Sequence, residues 1–183
     1  MNLRLRLLAL YTPDWLQRYM LRELFQSTAA AFGCPPPPPD GRAPATLLAQ
    51  YARFTQSMAE AALEGDHSAL PDLETRLYRE AYALGARLRR LCGVTTRQDV
   101  MDAAQWLYRI LGIAFQGTAD GAIVIRRCAF SDIYSGPVCR LISALDQGVL
   151  AGLAGGGQLT FQARLTEGAA SCRACFDWEG ERA

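Results

Sequence analysis

The sequence has no lysine, one histidine (His67) and one asparagine (Asn2); all nineteen of its basic residues are arginine. Without lysine there is no P-loop lysine and no Schiff-base chemistry. A single histidine excludes His-rich zinc sites and the two-histidine metalloprotease helix. Any Ser-His-Asp or Cys-His pair would have to use His67, which sits between Gly65-Asp66 and Ser68 and reads as a solvated turn residue. An excess of one charge is missing too. The net charge is +1 and the pI about 7.6, so the basic footprint of a nucleic-acid binder is absent. The densest cluster, Arg87, Arg89 and Arg90, falls at a helix end, where cations suit the macrodipole. Long apolar runs are also lacking. None approaches the roughly 18 residues of a membrane span. The Leu-rich start, Met1 to Leu10, is not followed by a small-residue cleavage site. These absences lead us to expect a cytoplasmic chain with no membrane span and no nucleic-acid partner. In that setting the six cysteines read as free thiols or metal ligands, not disulfides.

What is present is globular: 183 residues, 50% of them hydrophobic. That suits a single domain over residues 1–183, able to bury about 70% of its unfolded surface. Leu3, Leu5 and Leu7 alternate with Arg4 and Arg6, the period of a short strand or an extended arm, which could cross to a second subunit. Thr12-Pro13-Asp14 then opens a helix reaching about Phe32. Pro35 to Pro39, within a Pro-rich connector over 34–44, make a stiff rod between helices. Three more helices follow. One runs from Ala45 to Glu64, with Tyr51 and Phe54 on its apolar face, and one from Ala69 to Cys92. The last starts at the capping box Thr96/Asp99 and continues to Gln116. Residues 1–94 are thus a helical part. Beyond Asp120-Gly121 the pattern becomes strand (Ala122 to Ala129), helix (Gly136 to Leu153), and two strands (Gln158 to Thr166 and Ser171 to Trp178). The expected fold is α+β, an N-terminal helical layer on a small antiparallel sheet in the order αααα-β-α-β-β.

Chemistry concentrates in the last third. Cys128, Cys139, Cys172 and Cys175 could make a closed four-thiolate zinc site. Residues three apart on a strand face opposite sides, however, so Cys172 and Cys175 would need a turn or bulge to share an ion. The simpler reading, small buried apolar residues, is the favoured one. Cys139, Ser143 and Asp146 share one face of the Gly136 helix. There Asp146 could serve as acceptor or general base, and Ser143 or Cys139 as a weak nucleophile. Arg126 and Arg127 are adjacent on the expected strand, so one should point inward toward an acid such as Asp146. Trp106, Tyr134 and neighbouring aromatics could wall an apolar cavity.

Several short motifs resemble the bacteriochlorophyll 4-vinyl-reductase domain. They are Cys128-Ala129-Phe130, Gly136-Pro137-Val138-Cys139 with its Gly/Ala-rich helix, and Leu165-Thr166-Glu167-Gly168-Ala169-Ala170-Ser171-Cys172. The same stretch is similar to the 2-amino-thiazoline-4-carboxylate hydrolase family, whose Leu-Cys-x-x-Asp helix motif here reads Ile142-Ser143-Ala144-Leu145-Asp146. The resemblance covers residues 95–178 and implies a vinyl-reductase-like α+β module that binds a small molecule. Zinc-binding members use an acidic residue and three cysteines. Cys139 and Cys172 match two of those positions, while Phe161 and Arg164 replace the others, so zinc would require Cys128 and Cys175 as substitutes. Asp146 matches the hydrolase motif, and Ser143 replaces its cysteine.

Together these features give a favoured reading and two alternatives. The first is a domain for an apolar or heterocyclic small molecule, anchored by Asp146 and by Arg126, Arg127 or Arg164, with Tyr134 and Trp106 in the wall. The second is a hydrolase opening a cyclic C–N bond. The third is a dimeric scaffold, and a homodimer is expected in any case.

Overall fold

The computed structural model describes residues 3–38 and 43–179. Its helices are α1 (Leu3–Leu10), α2 (Asp14–Phe32), α3 (Pro44–Glu64), α4 (Leu70–Cys92), α5 (Arg97–Ile110) and α6 (Gly136–Ala154). Its strands are β1 (Phe115–Gly117), β2 (Ala122–Ile125), β3 (Gln158–Ala163) and β4 (Cys172–Asp177). The class is α+β, as expected, but the order is five helices, two strands, a helix and two strands.

Two corrections account for the change in order. The Leu3 to Leu7 segment is helical, not an extended arm. Leu5 is buried and Leu8 packs on the core; that spacing of three is a helical one, and it overrides the five-residue alternation. The fourth expected helix stops at Ile110 instead of Gln116. Gly112, in the left-handed conformation at φ 67°, lets the chain reverse, and Phe115–Gly117 become an edge strand. Met1, Asn2 and the stretch from Pro39 to Arg42 lie outside the described residues, so part of the proline connector does too. Pro38 is tied down, its carbonyl accepting from Gln50 Nε2 at 2.7 Å.

The sheet is antiparallel throughout, in the order β1-β2-β4-β3. Its period of two turns Phe115, Ile123, Ile125, Leu159, Cys172, Ala174 and Phe176 inward, and all of them are buried. Gln116, Arg173 and Asp177 face out and are exposed. A bulge between Phe161 and Ala163 breaks the β3–β4 ladder just before Arg164. One hydrophobic cluster runs from Leu5 to Trp178, so the helical part and the sheet share a core.

Helix α6 is the central element and contacts α3, α4, α5 and β3. Its closest partner is α4. A methyl group added at Gly85 of α4 would lie 2.3 Å from the Val149 carbonyl oxygen. One at Gly148 or Gly152 of α6 would lie 2.3 Å from the carbonyl oxygen of Tyr78 or Tyr82. Glycine on both sides therefore brings the two backbones into contact. No helix among the described residues is long and apolar enough to cross a membrane.

Candidate functional site

A cavity of about 90 Å³ lies beneath α6. Helices α2, α3 and α5 supply Leu24, Tyr51, Leu107 and Tyr108 to its wall. The loop after β2 adds Cys128, Phe130 and Tyr134, and the turn before β4 adds Leu165, Thr166 and Cys172. From α6 come Cys139, Ile142, Leu145, Asp146 and Val149. The wall is apolar and aromatic. Phe130 stacks on Tyr134 at 5.2 Å and meets Tyr51 edge-on at 6.2 Å. The hydroxyl of Tyr51 is paired with Thr28 and that of Tyr134 with Thr55, so both tyrosines offer the cavity their rings.

Asp146 is the charged exception. The Tyr108 hydroxyl donates to its Oδ1 at 2.6 Å, while Oδ2 accepts no hydrogen bond from the described residues. Burial pushes the Asp146 carboxyl up to about 6, against the lowering effects of the Tyr108 hydrogen bond and the Arg164 charge. A second unused polar atom lies nearby, since Thr166 Oγ1 is buried without a partner. An apolar hollow with one carboxylate and a few polar groups is the ordinary design of a small-molecule site.

The other expected site residues divide sharply. Arg164 comes in from the end of β3. Its Nη1 donates to Ser143 Oγ at 2.6 Å and approaches Cys139 Sγ at 3.8 Å, and its guanidinium lies 4.0 Å over the Phe161 ring. It does not line the cavity, but its charge reaches Asp146 and lowers that carboxyl's tendency to hold a proton. Ser143 is buried and already engaged, donating to the Cys139 carbonyl at 2.6 Å while accepting from Arg164. Arg126 and Arg127 are corrections. Strand β2 ends at Ile125, both arginines follow in the bend and are exposed, and Arg126 bonds Gln116 at 2.6 Å. Trp106 is a further correction: it does not line the cavity, because its indole N–H turns to Thr12 Oγ1 at 2.9 Å. His67 is exposed in a short turn, as read from the sequence.

The four thiols do not converge. Cys128, Cys139 and Cys172 line the cavity, but Cys175 is on the opposite face of β4, near Asp177. Among the described residues no three His, Cys, Asp or Glu side chains are placed to hold a metal. Burial pushes Cys128 up to about 12 and raises Cys172 as well. In the metal-free chain both are therefore held as protonated thiols at neutral pH, which makes them poor nucleophiles.

Sequence reasoning missed Tyr51 as a site residue, and it missed the bond from Tyr108, one of the candidate wall aromatics, to Asp146. Tyr108 follows Leu107 on the apolar side of α5, and Tyr51 sits on the apolar face of α3, so each reads as core. Their polar ends become visible only with the partners that the fold supplies.

No family model, curated protein or solved structure matches the chain.

Proposed function

We propose that the chain is a small-molecule-binding domain for a largely apolar or heterocyclic compound seated between α6, the sheet and the helical layer. The observation that carries this reading is Asp146. Its Oδ2 has no hydrogen-bond partner among the described residues, in a cavity whose other walls are mostly apolar. A carboxylate held in such a place is costly unless something donates to it. An N–H or protonated nitrogen on a flat ring would satisfy Oδ2 while the ring stacks among Tyr51, Phe130 and Tyr134. Arg164, held by Ser143, would meet an acidic group on the same compound. The resemblance of residues 95–178 to the vinyl-reductase domain supports the same reading, and a cytoplasmic location and a homodimer are proposed beside it.

The hydrolase alternative is weaker. Ser143 is not on the cavity wall, both of its hydrogen bonds are in use, and no histidine or lysine is near to activate it. Cys139 is the remaining candidate nucleophile.

Native mass spectrometry of freshly purified protein tests the reading, reporting a co-purified compound, bound metal and subunit number together. The expected result is a bound compound that Asp146→Ala releases. Turnover of cyclic amidines or thiazolines would favour the hydrolase instead, and absence of binding by any such compound would refute both.

A further inference from the structure

The large hydrophobic side chains left exposed among the described residues are confined to one region. They are Leu7, Leu10, Tyr11, Trp15, Tyr19 and Leu91, at 51–84% exposure. Leu7, Leu10 and Tyr11 follow a helical spacing along α1, and Trp15 and Tyr19 share a face of α2 one turn apart. Leu91 lies at the far end of α4, yet it joins them because Arg4 Nη1 donates to its carbonyl at 3.0 Å. Single exposed leucines are ordinary, but six large apolar side chains gathered at one corner of a fold mark a contact surface.

The charge around this corner says what it contacts. Arg18 and Arg22 follow Trp15 by three and seven residues, on the same face of α2. Arg6 lies four residues before Leu10, and Arg90 adjoins Leu91. Arg6, Arg18, Arg22 and Arg90 make no ion pair with any described carboxylate, and Glu23, which follows Arg22 on α2, is taken by Arg87 at 3.0 Å. Asp14 is the one acid between Arg4 and Arg22. The corner is thus strongly basic in a chain whose net charge is only +1.

A second copy of the chain is a poor match. A two-fold interface sets the same patch against itself, so these arginines would face one another. Tyrosine and tryptophan beside leucine and arginine instead suit the boundary between water and lipid. There the rings sit at headgroup depth and the guanidinium groups meet phosphates.

We propose that this corner, built from α1, the first half of α2 and the end of α4, docks the protein on an anionic lipid surface. The arginines supply attraction and the exposed leucines and aromatic rings insert shallowly. The chain lies on the bilayer without crossing it, and a homodimer formed through another face would present two such corners.

The test is flotation of the full chain with phosphatidylcholine vesicles, with and without about a third phosphatidylserine. Binding is expected only with phosphatidylserine and should fall as salt is raised. Each basic residue near such a surface is worth about fivefold in partitioning, so Arg18→Gln with Arg22→Gln should cost about 30-fold. Trp15→Ala with Tyr19→Ala should also release the protein while leaving its melting temperature within about 2 °C, since both side chains are exposed. Three results would overturn the proposal. One is no flotation with anionic vesicles, another is flotation unchanged in both variants, and the third is a dimer that Trp15→Ala with Tyr19→Ala converts to monomer.

Discussion

Asp146 shows how one residue can be placed by sequence and defined by fold. Its position on α6, one turn after Ser143 and Ile142, follows from helical spacing. Its character comes from Tyr108, 38 residues earlier, and from the apolar wall, which together set its carboxyl at about 6 instead of 3.8. Between those two values the folded chain keeps a proton that the unfolded chain has released. The contribution of Asp146 to stability is therefore most favourable below about pH 4, declines as pH rises to about 6, and stays lower above it, by about 3 kcal/mol in total. Asp146→Asn removes the charge and can still accept from Tyr108. It should melt several degrees higher than the natural protein at pH 8 and at the same temperature near pH 4. Equal gains at both pH values would show that burial of the charge is not the cause. Trp106 and Tyr108 mark the limit of residue-level reading. They stand two apart on α5 and so face different directions, one toward Thr12 and one into the cavity. Nothing in the local pattern says which of the two meets a carboxylate.

At the scale of elements, α2 through α4 were legible because their apolar residues recur at three and four over many turns. Short elements were not. Strand β1 is three residues long and follows a helix without a strong break, and α1 carries only five alternating residues before its helical period emerges. Arg126 and Arg127 were misplaced for the same reason, since an apolar run does not announce where pairing ends. The α4–α6 contact was legible in part. Gly148 and Gly152 recur at a spacing of four, which puts both on one face of α6, but their partner Gly85 lies more than sixty residues away in sequence. Gly152→Ala should force the two helices apart and cost about 1–3 kcal/mol, read as a lowered denaturation midpoint with an unchanged slope. A neutral outcome would mean that the helices slide without penalty.

For the molecule as a whole, occupancy of the cavity should be visible as stability. A compound that binds only the folded chain adds about 2.7 kcal/mol at a hundredfold excess over its Kd. For a chain of 183 residues that is a rise of roughly 5–10 °C in melting temperature. A cationic cyclic amidine should give a larger rise at pH 8, where Asp146 is ionised, than at pH 5, where most of it is protonated; a neutral ring of the same shape should not show that difference. A pH-independent shift from the cation would place its binding elsewhere.

The glycine contact between α4 and α6 also decides how the cavity can change size. Helix α6 forms one wall, and its opposite side comes within backbone contact of α4 at Gly85, Gly148 and Gly152. That wall behaves as a fixed plate. Any widening to admit a compound larger than the resting cavity falls to the loop carrying Phe130 and Tyr134 and to the turn carrying Leu165 and Thr166. The turn is joined to α6 by the exposed Arg140–Glu167 ion pair, so loss of that pair should loosen the turn first.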